Sequence, residues 1–326
     1  MADAIRAFRP DVMHVHNFFP LLSPSIFDAA RDAGVPSVLT LHNFRILCPT
    51  CFLYHDERIR ERSLTQPCWW TVPKRVYRNS LIGTFALALM VETHKKCGTW
   101  MHKVDRFIAI NEFAKTKFVE GGIPSDLIVV KPNRVACQHE FTAEQIRHGA
   151  LFVGRLSLEK GIIELINAWG DVNYPLTVAG DGPLREKLEQ MAAGSNVRFL
   201  GRIARDELYT EMRQASFLIM PSLWFEMTSL VVVEGFSNSL PALSADLGGM
   251  TETINQNFNG MIYRANDIAS LIETVRWAID HPEDMLRMGA NARLSYEKNW
   301  KQSDNLSLLL RIYDDAIKER LRAHFL

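Results

Sequence analysis

The sequence predicts an α/β protein made of two doubly wound parallel-sheet halves. Two observations carry this. Short β-branched apolar runs alternate with longer helical patterns along the chain, each run bounded by turn formers. The 326 residues also suffice for about two domains. The alternation lapses at the polar stretch ACQHEFTAEQIRHG, which sets the expected boundary: residues 1–138 form one Rossmann-like domain and residues 139–301 a second, with a helix over 302–323 returning to pack on the first.

In the first half, VMHVH (12–16) follows the turn Pro10-Asp11, and PSVLTLH (36–42) follows Gly34. DRFIAIN (105–111) and LIVVKPN (127–133) complete its four strand patterns. In the second half, ALFVGRL (150–156) leads into a helix over 159–169. PLTVAGDG (175–182), a helix over 183–193 and NVRFLG (196–201) follow. A helix over 205–214 precedes SFLIMPS (216–222), and a helix over 230–237 precedes PALSAD (241–246) and GMIYR (260–264). Helices over 267–280 and 302–323 close the chain.

Composition narrows the function classes. Apolar residues are 47% and charged residues 23%, as in an ordinary globular protein. Lys plus Arg is 37 and Asp plus Glu is 37, so no basic excess points to nucleic acid as a partner. Five cysteines, an odd number, fit a reducing compartment. The opening MADAIRAFRPD has no apolar core of signal-peptide length. The longest apolar run, Leu81 to Val91, is broken by Gly83 and Thr84 and falls short of the ~20 residues of a membrane span. The expectation is a cytoplasmic protein, with peripheral attachment at the cytoplasmic face of a membrane as an option. Oligomeric state is not encoded legibly.

Common signatures are absent: no phosphate loop, no dinucleotide fingerprint, no zinc helix, and no Asp-x-Asp to clamp a nucleotide-bound metal. Three blocks carry chemistry instead. In Phe152-Val-Gly-Arg155-Leu-Ser-Leu-Glu159-Lys160-Gly161 a strand gives way to a helix, placing Arg155 and Lys160 at the carboxyl end of a parallel strand. Ligands of open α/β sheets bind there, and two cations suit a diphosphate; surface charges flanking a loop are the plain alternative. In Pro221-Ser-Leu-Trp-Phe-Glu226-Met-Thr-Ser-Leu-Val-Val-Val-Glu234-Gly235, seven residues separate two glutamates. Carboxylates accept from vicinal hydroxyls, and the helix-opening N–H groups between them suit phosphate. In the third block Asp181-Gly182-Pro183 is a strand–turn–helix joint, and Asp181 reads best as structural.

In order, FVGRL…EKG, VAGDGP, FLG, PSLWFE…VVVEGF and GGMTE resemble the donor-binding half of family-4 retaining glycosyltransferases of the GT-B fold. FRPDVMHVHNFFPLLSP, GVPSVLTLHNFRILCP, DRFIAINEFAKTKFVEGGIP and IVVKPN resemble the other half, so the likeness covers roughly residues 5–315. The resemblance implies two Rossmann-like domains facing across a cleft. It implies a retaining, metal-independent transfer from a nucleotide diphosphate sugar to a saccharide or lipid-linked acceptor in cell-surface polysaccharide synthesis. Arg155 and Lys160 would stabilise the departing diphosphate, Glu226 would hold donor-sugar hydroxyls, and Glu234 the ribose. Thr228, Ser229 and Leu230, at the helix start, would line the phosphates. His42 would face donor sugar and acceptor, with His16 and Asn17 on the acceptor side; for His14 and His16 a structural role is equally compatible. No cofactor or metal is implied.

Departures accompany the likeness. The family begins with a strand and glycine-rich loop, so about two βα units, on the order of 60 residues, are expected to be missing before VMHVH. Met227-Thr228-Ser229 stands where Gly or Pro with an aromatic is usual, Gly235 where Ala is usual, and Ser239 where Gly is usual. An inactive nucleotide-sugar-binding paralogue and a nucleotide-sugar epimerase of the same fold are the rival functions. Cys48-Pro-Thr-Cys51 with His94-Lys-Lys-Cys97 is read either as a zinc site or as ordinary thiols. Trp69-Trp70-Thr-Val-Pro-Lys74-Arg75-Val-Tyr77-Arg78, an apolar helix over 80–92 and His94-Lys95-Lys96 suit an anionic membrane or a lipid-linked acceptor. A core helix with a solvated basic flank is the other reading.

Overall fold

The computed structural model describes residues 1–135, 147–227, 229–301 and 303–324. The chain divides into two units, Met1–Pro132 with Ser303–Leu326, and Asn133–Gln302. The sequence-derived boundary at 138/139 lies outside the described residues.

In the first unit the parallel strands Met13–His16, Ser37–Leu41, Arg106–Ala109 and Ile128–Val130 lie side by side in chain order. They are shorter than their apolar patterns, because flanking residues enter turns and loops. The last helix, Ser303–His324, covers one face of this sheet. Its Ile312 and Ala316 pack on Val38 and Ile108, all buried. Charges fasten its end: Arg106 pairs with Glu319, and Arg320 donates to Asp105 at 2.8 Å. Asp105 also accepts from the Ser37 amide at 2.7 Å, so the helix, a strand start and the preceding turn share one carboxylate.

The second unit is a six-stranded parallel sheet in the order Gly260–Tyr263, Ala242–Ala245, Phe217–Met220, Ala150–Val153, Leu176–Ala179, Val197–Gly201. The winding direction reverses between Ala150–Val153 and Phe217–Met220, which makes their carboxyl ends the topological switch point. Apolar helices cover both faces. Ile162–Trp169 and Ile268–Asp280 pack into one core, Arg205–Gln214 and Leu230–Ser237 into the other, and Pro282–Asn299 joins both, the first through Met285 and Met288 and the second through Ala292 and Tyr296.

Three local expectations change. Pro282–Asn299 is an 18-residue helix that the sequence reading left unassigned. Its buried stripe, Met285, Met288, Ala292 and Tyr296, has helical spacing, but Gly289 at its centre reads as a breaker. That glycine is needed for packing, since a Cβ there would lie 2.4 Å from the Ser239 carbonyl oxygen. The helix expected over 80–92 is Leu81–Lys96; Ser80 caps its start by accepting from the Gly83 amide at 3.0 Å, and His94, Lys95 and Lys96 form its last turn. Cations there complement the helix dipole. A short hairpin pairs Tyr54–His55 with Arg58–Ile59.

Truncating Ile312 to Ala should cost about 2–5 kcal/mol through lost contacts and a residual cavity. Hydrogen exchange should then accelerate at the Val38 and Ile108 amides; unchanged exchange would show that the last helix does not support this sheet.

Candidate functional site

The switch point of the second unit is assembled from two loops. After Ala150–Val153 the chain passes Gly154 and Arg155, makes the short turn Leu158–Lys160, and enters the helix at Gly161, whose φ is +66°. A Cβ on Gly161 would sit 1.9 Å from the Pro221 carbonyl oxygen, so only glycine lets this loop lie against the loop after Phe217–Met220. The Leu223 amide completes the join by donating to the Glu159 carbonyl at 2.9 Å.

Glu226 is the convergence point. Its Oε1 accepts from Lys160 Nζ at 2.5 Å, Ser222 Oγ at 2.8 Å and Trp224 Nε1 at 2.9 Å. The Lys160 ammonium also lies 5.0 Å from the centre of the Trp224 ring, and Glu226 is buried. A buried carboxylate with three donors is satisfied, and removing its cation would leave an uncompensated charge. Thus Lys160 and Glu226, expected to touch different parts of a ligand, hold each other here.

A cavity of about 650 Å³ opens at the carboxyl ends of Ala150–Val153, Leu176–Ala179 and Val197–Gly201, lined by Gly154, Arg155, Gly180, Asp181, Gly182 and Arg202 among others. Arg155 and Arg202 are exposed, and neither has an ion pair among the described residues. Gly180, at φ +138°, brings its backbone so close to Gly154 that a Cβ would meet the Gly154 carbonyl oxygen at 1.8 Å. The floor is therefore largely main chain, and the charged lining residues are Arg155, Arg202 and Asp181, two guanidinium groups against one carboxylate, which leaves a net positive lining suited to phosphate oxygens. Asp181 accepts from the Gly182 amide at 2.8 Å and so stabilises its own turn.

Glu234 lies on the helix Leu230–Ser237, and its Oε1 accepts from Arg205 Nη2 at 2.9 Å. Burial raises its carboxyl pKa, and Arg205 opposes that shift. Ser229 is buried at the N-cap of this helix, Leu230 is its exposed first residue, and Thr228 lies outside the described residues. The sequence reading missed Arg202 and Arg205. Arg202 directly follows the strand Val197–Gly201, so the rule that singled out Arg155 would also have found it.

The first unit carries a histidine row. His14 and His16 alternate along Met13–His16, and His42 follows the neighbouring strand Ser37–Leu41. His16 Nδ1 and His42 Nε2 share a hydrogen bond of 2.8 Å. His14 bonds instead to Tyr313 and Thr40, each at 2.7 Å, a structural arrangement. Burial, reinforced by neighbouring histidines and Lys131, holds His14 at about 4 instead of 6.5. Burial also lowers His16, with Lys131 adding to it, and His42, with His16 adding to it. Asn17, in the left-handed region at φ +42°, accepts from Asn43 at 2.8 Å. Asn17, His42 and Asn43 line a cavity of about 330 Å³, together with Arg45, Tyr77 and Arg78.

The possible zinc ligands do not converge. Cys48 contacts Thr50, His94 contacts Thr99, and Cys97 is exposed. Among the described residues no three His, Cys, Asp or Glu side chains are grouped to hold a metal ion.

The second unit is a Rossmann-like parallel-sheet half with a cavity at the carboxyl ends of three of its strands, and the comparisons with known proteins place it. Residues 143–295 match the family model of glycosyl transferases group 1, and residues 1–134 that of the glycosyl transferase 4-like domain. The chain belongs to this glycosyltransferase family, whose fold is GT-B. The D-rhamnosyltransferase WbpZ of Pseudomonas aeruginosa is 26% identical over 268 residues, 77% of this chain and 63% of that protein. An uncharacterized glycosyltransferase of Methanocaldococcus jannaschii is 29% identical over 202 residues, 61% of this chain and 56% of that protein. The chain thus matches somewhat over half the length of these curated relatives. Among solved structures, a Rickettsia africae glycosyltransferase superposes with a TM-score of 0.70 at 17% identity, covering 97% of this chain and 79% of that one. Anabaena HepE in complex with UDP gives 0.68 at 16% identity, covering 99% and 82%.

A histidine held neutral in the fold but free to protonate when unfolded destabilises the protein as pH falls. Stability is therefore expected to drop as pH decreases from 6.5 towards 4, the window set by His14. His14→Gln, which keeps a hydrogen-bonding side chain and removes the titration, should flatten that part of a Tm-against-pH curve. An unaltered slope would contradict the assignment.

Proposed function

We propose that the protein is a retaining, metal-independent glycosyltransferase that moves a sugar from a nucleotide diphosphate sugar to a saccharide or lipid-linked acceptor in cell-surface polysaccharide synthesis. The observation that carries this reading is the cavity at the strand ends of the second unit. Two guanidinium groups without ion pairs among the described residues, Arg155 and Arg202, line it over a largely main-chain floor, and the loop that carries Arg155 runs on to Lys160, which is paired with Glu226. The printed names of the relatives and the UDP complexes of HepE point the same way.

In this reading the bond between the sugar's anomeric carbon and the diphosphate breaks as a bond to an acceptor hydroxyl oxygen forms. The nucleoside diphosphate leaves with the bond's electron pair, and the acceptor gives up its hydroxyl proton. Negative charge grows on the departing phosphate. Arg155 meets it from the strand end and Lys160 from the helix start, so both cations act where charge develops. Lys160 then exchanges its partner: its ammonium turns from Glu226 to phosphate, and the freed carboxylate accepts from sugar hydroxyls. Glu234 takes the ribose hydroxyls, with Arg205 orienting its carboxylate. His42 faces the donor sugar and the acceptor, where the neutral ring can donate or accept a hydrogen bond without adding charge, and His16 and Asn17 belong to the acceptor side.

The reading extends to a cytoplasmic protein in peripheral contact with a membrane. Exposed apolar side chains on Leu81–Lys96 support that contact, and no described helix is long and apolar enough to cross a bilayer.

Calorimetry with UDP, GDP, ADP and TDP tests the donor site. One nucleotide should bind selectively, and Arg155→Ala should weaken the diphosphate roughly tenfold or more while barely changing the nucleoside. Equal losses for both would remove Arg155 from phosphate binding.

A further inference from the structure

The cavity beside His42 has a charge that the donor site does not account for. Of its lining, Arg45 and Arg78 are cationic and no residue is acidic. Neither arginine has an ion pair among the described residues. Both are nevertheless positioned. Arg45 lies 5.2 Å from the centre of the Phe19 ring and 5.9 Å from that of Tyr77, and donates to the Pro49 carbonyl at 2.5 Å. Arg78 stands 5.3 Å from the Tyr77 ring centre, on backbone in the left-handed region at φ +51°. Two guanidinium groups stacked on shared aromatics, in an opening of about 330 Å³, form a receptor for an anion.

The wall of that cavity continues into an apolar surface. The Tyr77 amide donates to Thr84 Oγ1 at 3.0 Å, and the Tyr77 ring lies 3.3 Å from where a Cβ on Gly83 would sit. The cavity wall is therefore packed on the first turn of Leu81–Lys96. This helix leaves Leu81, Ile82, Phe85 and Leu89 exposed, Ile82 to 80%. Trp69, also exposed, stacks near Phe85 with ring centres 6.0 Å apart. Leu21, next in sequence to the lining residue Pro20, is 90% exposed. Soluble surfaces seldom keep such a contiguous apolar face without a partner.

We propose that the acceptor is a phosphate-linked lipid, its phosphate or diphosphate held by Arg45 and Arg78 beside His42 and its aliphatic chain lying over Leu81, Ile82, Phe85, Leu89 and Trp69 at the membrane surface. Charge complementarity selects this occupant over a neutral glycan, since the pocket supplies two cations and no counter-charge. The adjoining apolar face selects it over a soluble sugar phosphate. The proposal rests on the glycosyltransferase reading for the word acceptor, while the binding itself is independent of it.

The test is sedimentation of the full chain with phosphatidylcholine vesicles, plain or doped with a polyisoprenyl diphosphate. Isopentenyl diphosphate serves as the soluble probe and UDP calorimetry runs on every variant. Binding should require the doped lipid and fall roughly tenfold or more in the Arg45→Gln/Arg78→Gln chain, the scale of a lost charge-assisted contact. Ile82→Asp/Phe85→Asp, at exposed positions, should abolish vesicle binding while leaving UDP binding intact. Equal binding to vesicles doped with phosphatidylglycerol would reduce the face to a general anionic-surface contact and overturn the acceptor assignment. Arginine-dependent binding of isopentenyl diphosphate as tight as that of the doped lipid would overturn the lipid in favour of a soluble phosphate. No arginine dependence overturns the proposal outright. UDP binding without doped-vesicle binding leaves the donor reading standing and removes this one, and the converse result does the reverse.

Discussion

The Lys160–Glu226 ion pair is the interaction on which the second unit's site depends. Sixty-six positions apart in the chain, the two residues meet because their strands, Ala150–Val153 and Phe217–Met220, are neighbours at the point where the sheet reverses its winding. The pair can form only if the two following loops approach at main-chain distance, and Gly161 against Pro221 permits that. Ser222 and Trp224 then supply the remaining donors. Burying such a pair carries a desolvation cost that its hydrogen bonds offset, and removing one partner alone would be strongly destabilising. In the proposed mechanism the pair is also a stored arrangement: a phosphate offered to Lys160 would compete with the carboxylate and release it for hydroxyls.

Arginine sets the chemistry around this centre. Arg155 and Arg202 face a main-chain floor in one unit, and Arg45 and Arg78 stack on aromatics in the other. All four lack an ion pair among the described residues, in a chain whose formal net charge is zero. Their positive charge is local and offset elsewhere in the chain, which is why overall charge said nothing about them. Glu234 illustrates the opposite case, since Arg205 already answers its charge.

Much of the fold was legible in the sequence. The helices Arg205–Gln214 and Leu230–Ser237 start and stop where the sequence reading put them, because strong apolar strands bracket both. The strands proved shorter than their apolar runs, since residues such as Gly154 and His42 continue the pattern into loops. Pro282–Asn299 was hidden by Gly289, which packing requires and propensity disfavours. For the site, strand-end position identified Arg155, Lys160 and Glu226 as candidates, and the family resemblance added His42. Which groups they touch was not legible. The partner of Lys160 depends on sheet order, the bond between His16 and His42 on the register of two strands, and Arg45 on a loop with no periodic signal at all.

The most direct test of the account is a crystal structure of the full chain with its preferred nucleoside diphosphate bound. The account predicts phosphates over Gly154 and Gly180, contacted by Arg155 and by a Lys160 that has left Glu226. Phosphates bound away from these strand ends, or a Lys160–Glu226 pair unchanged beneath them, would contradict it.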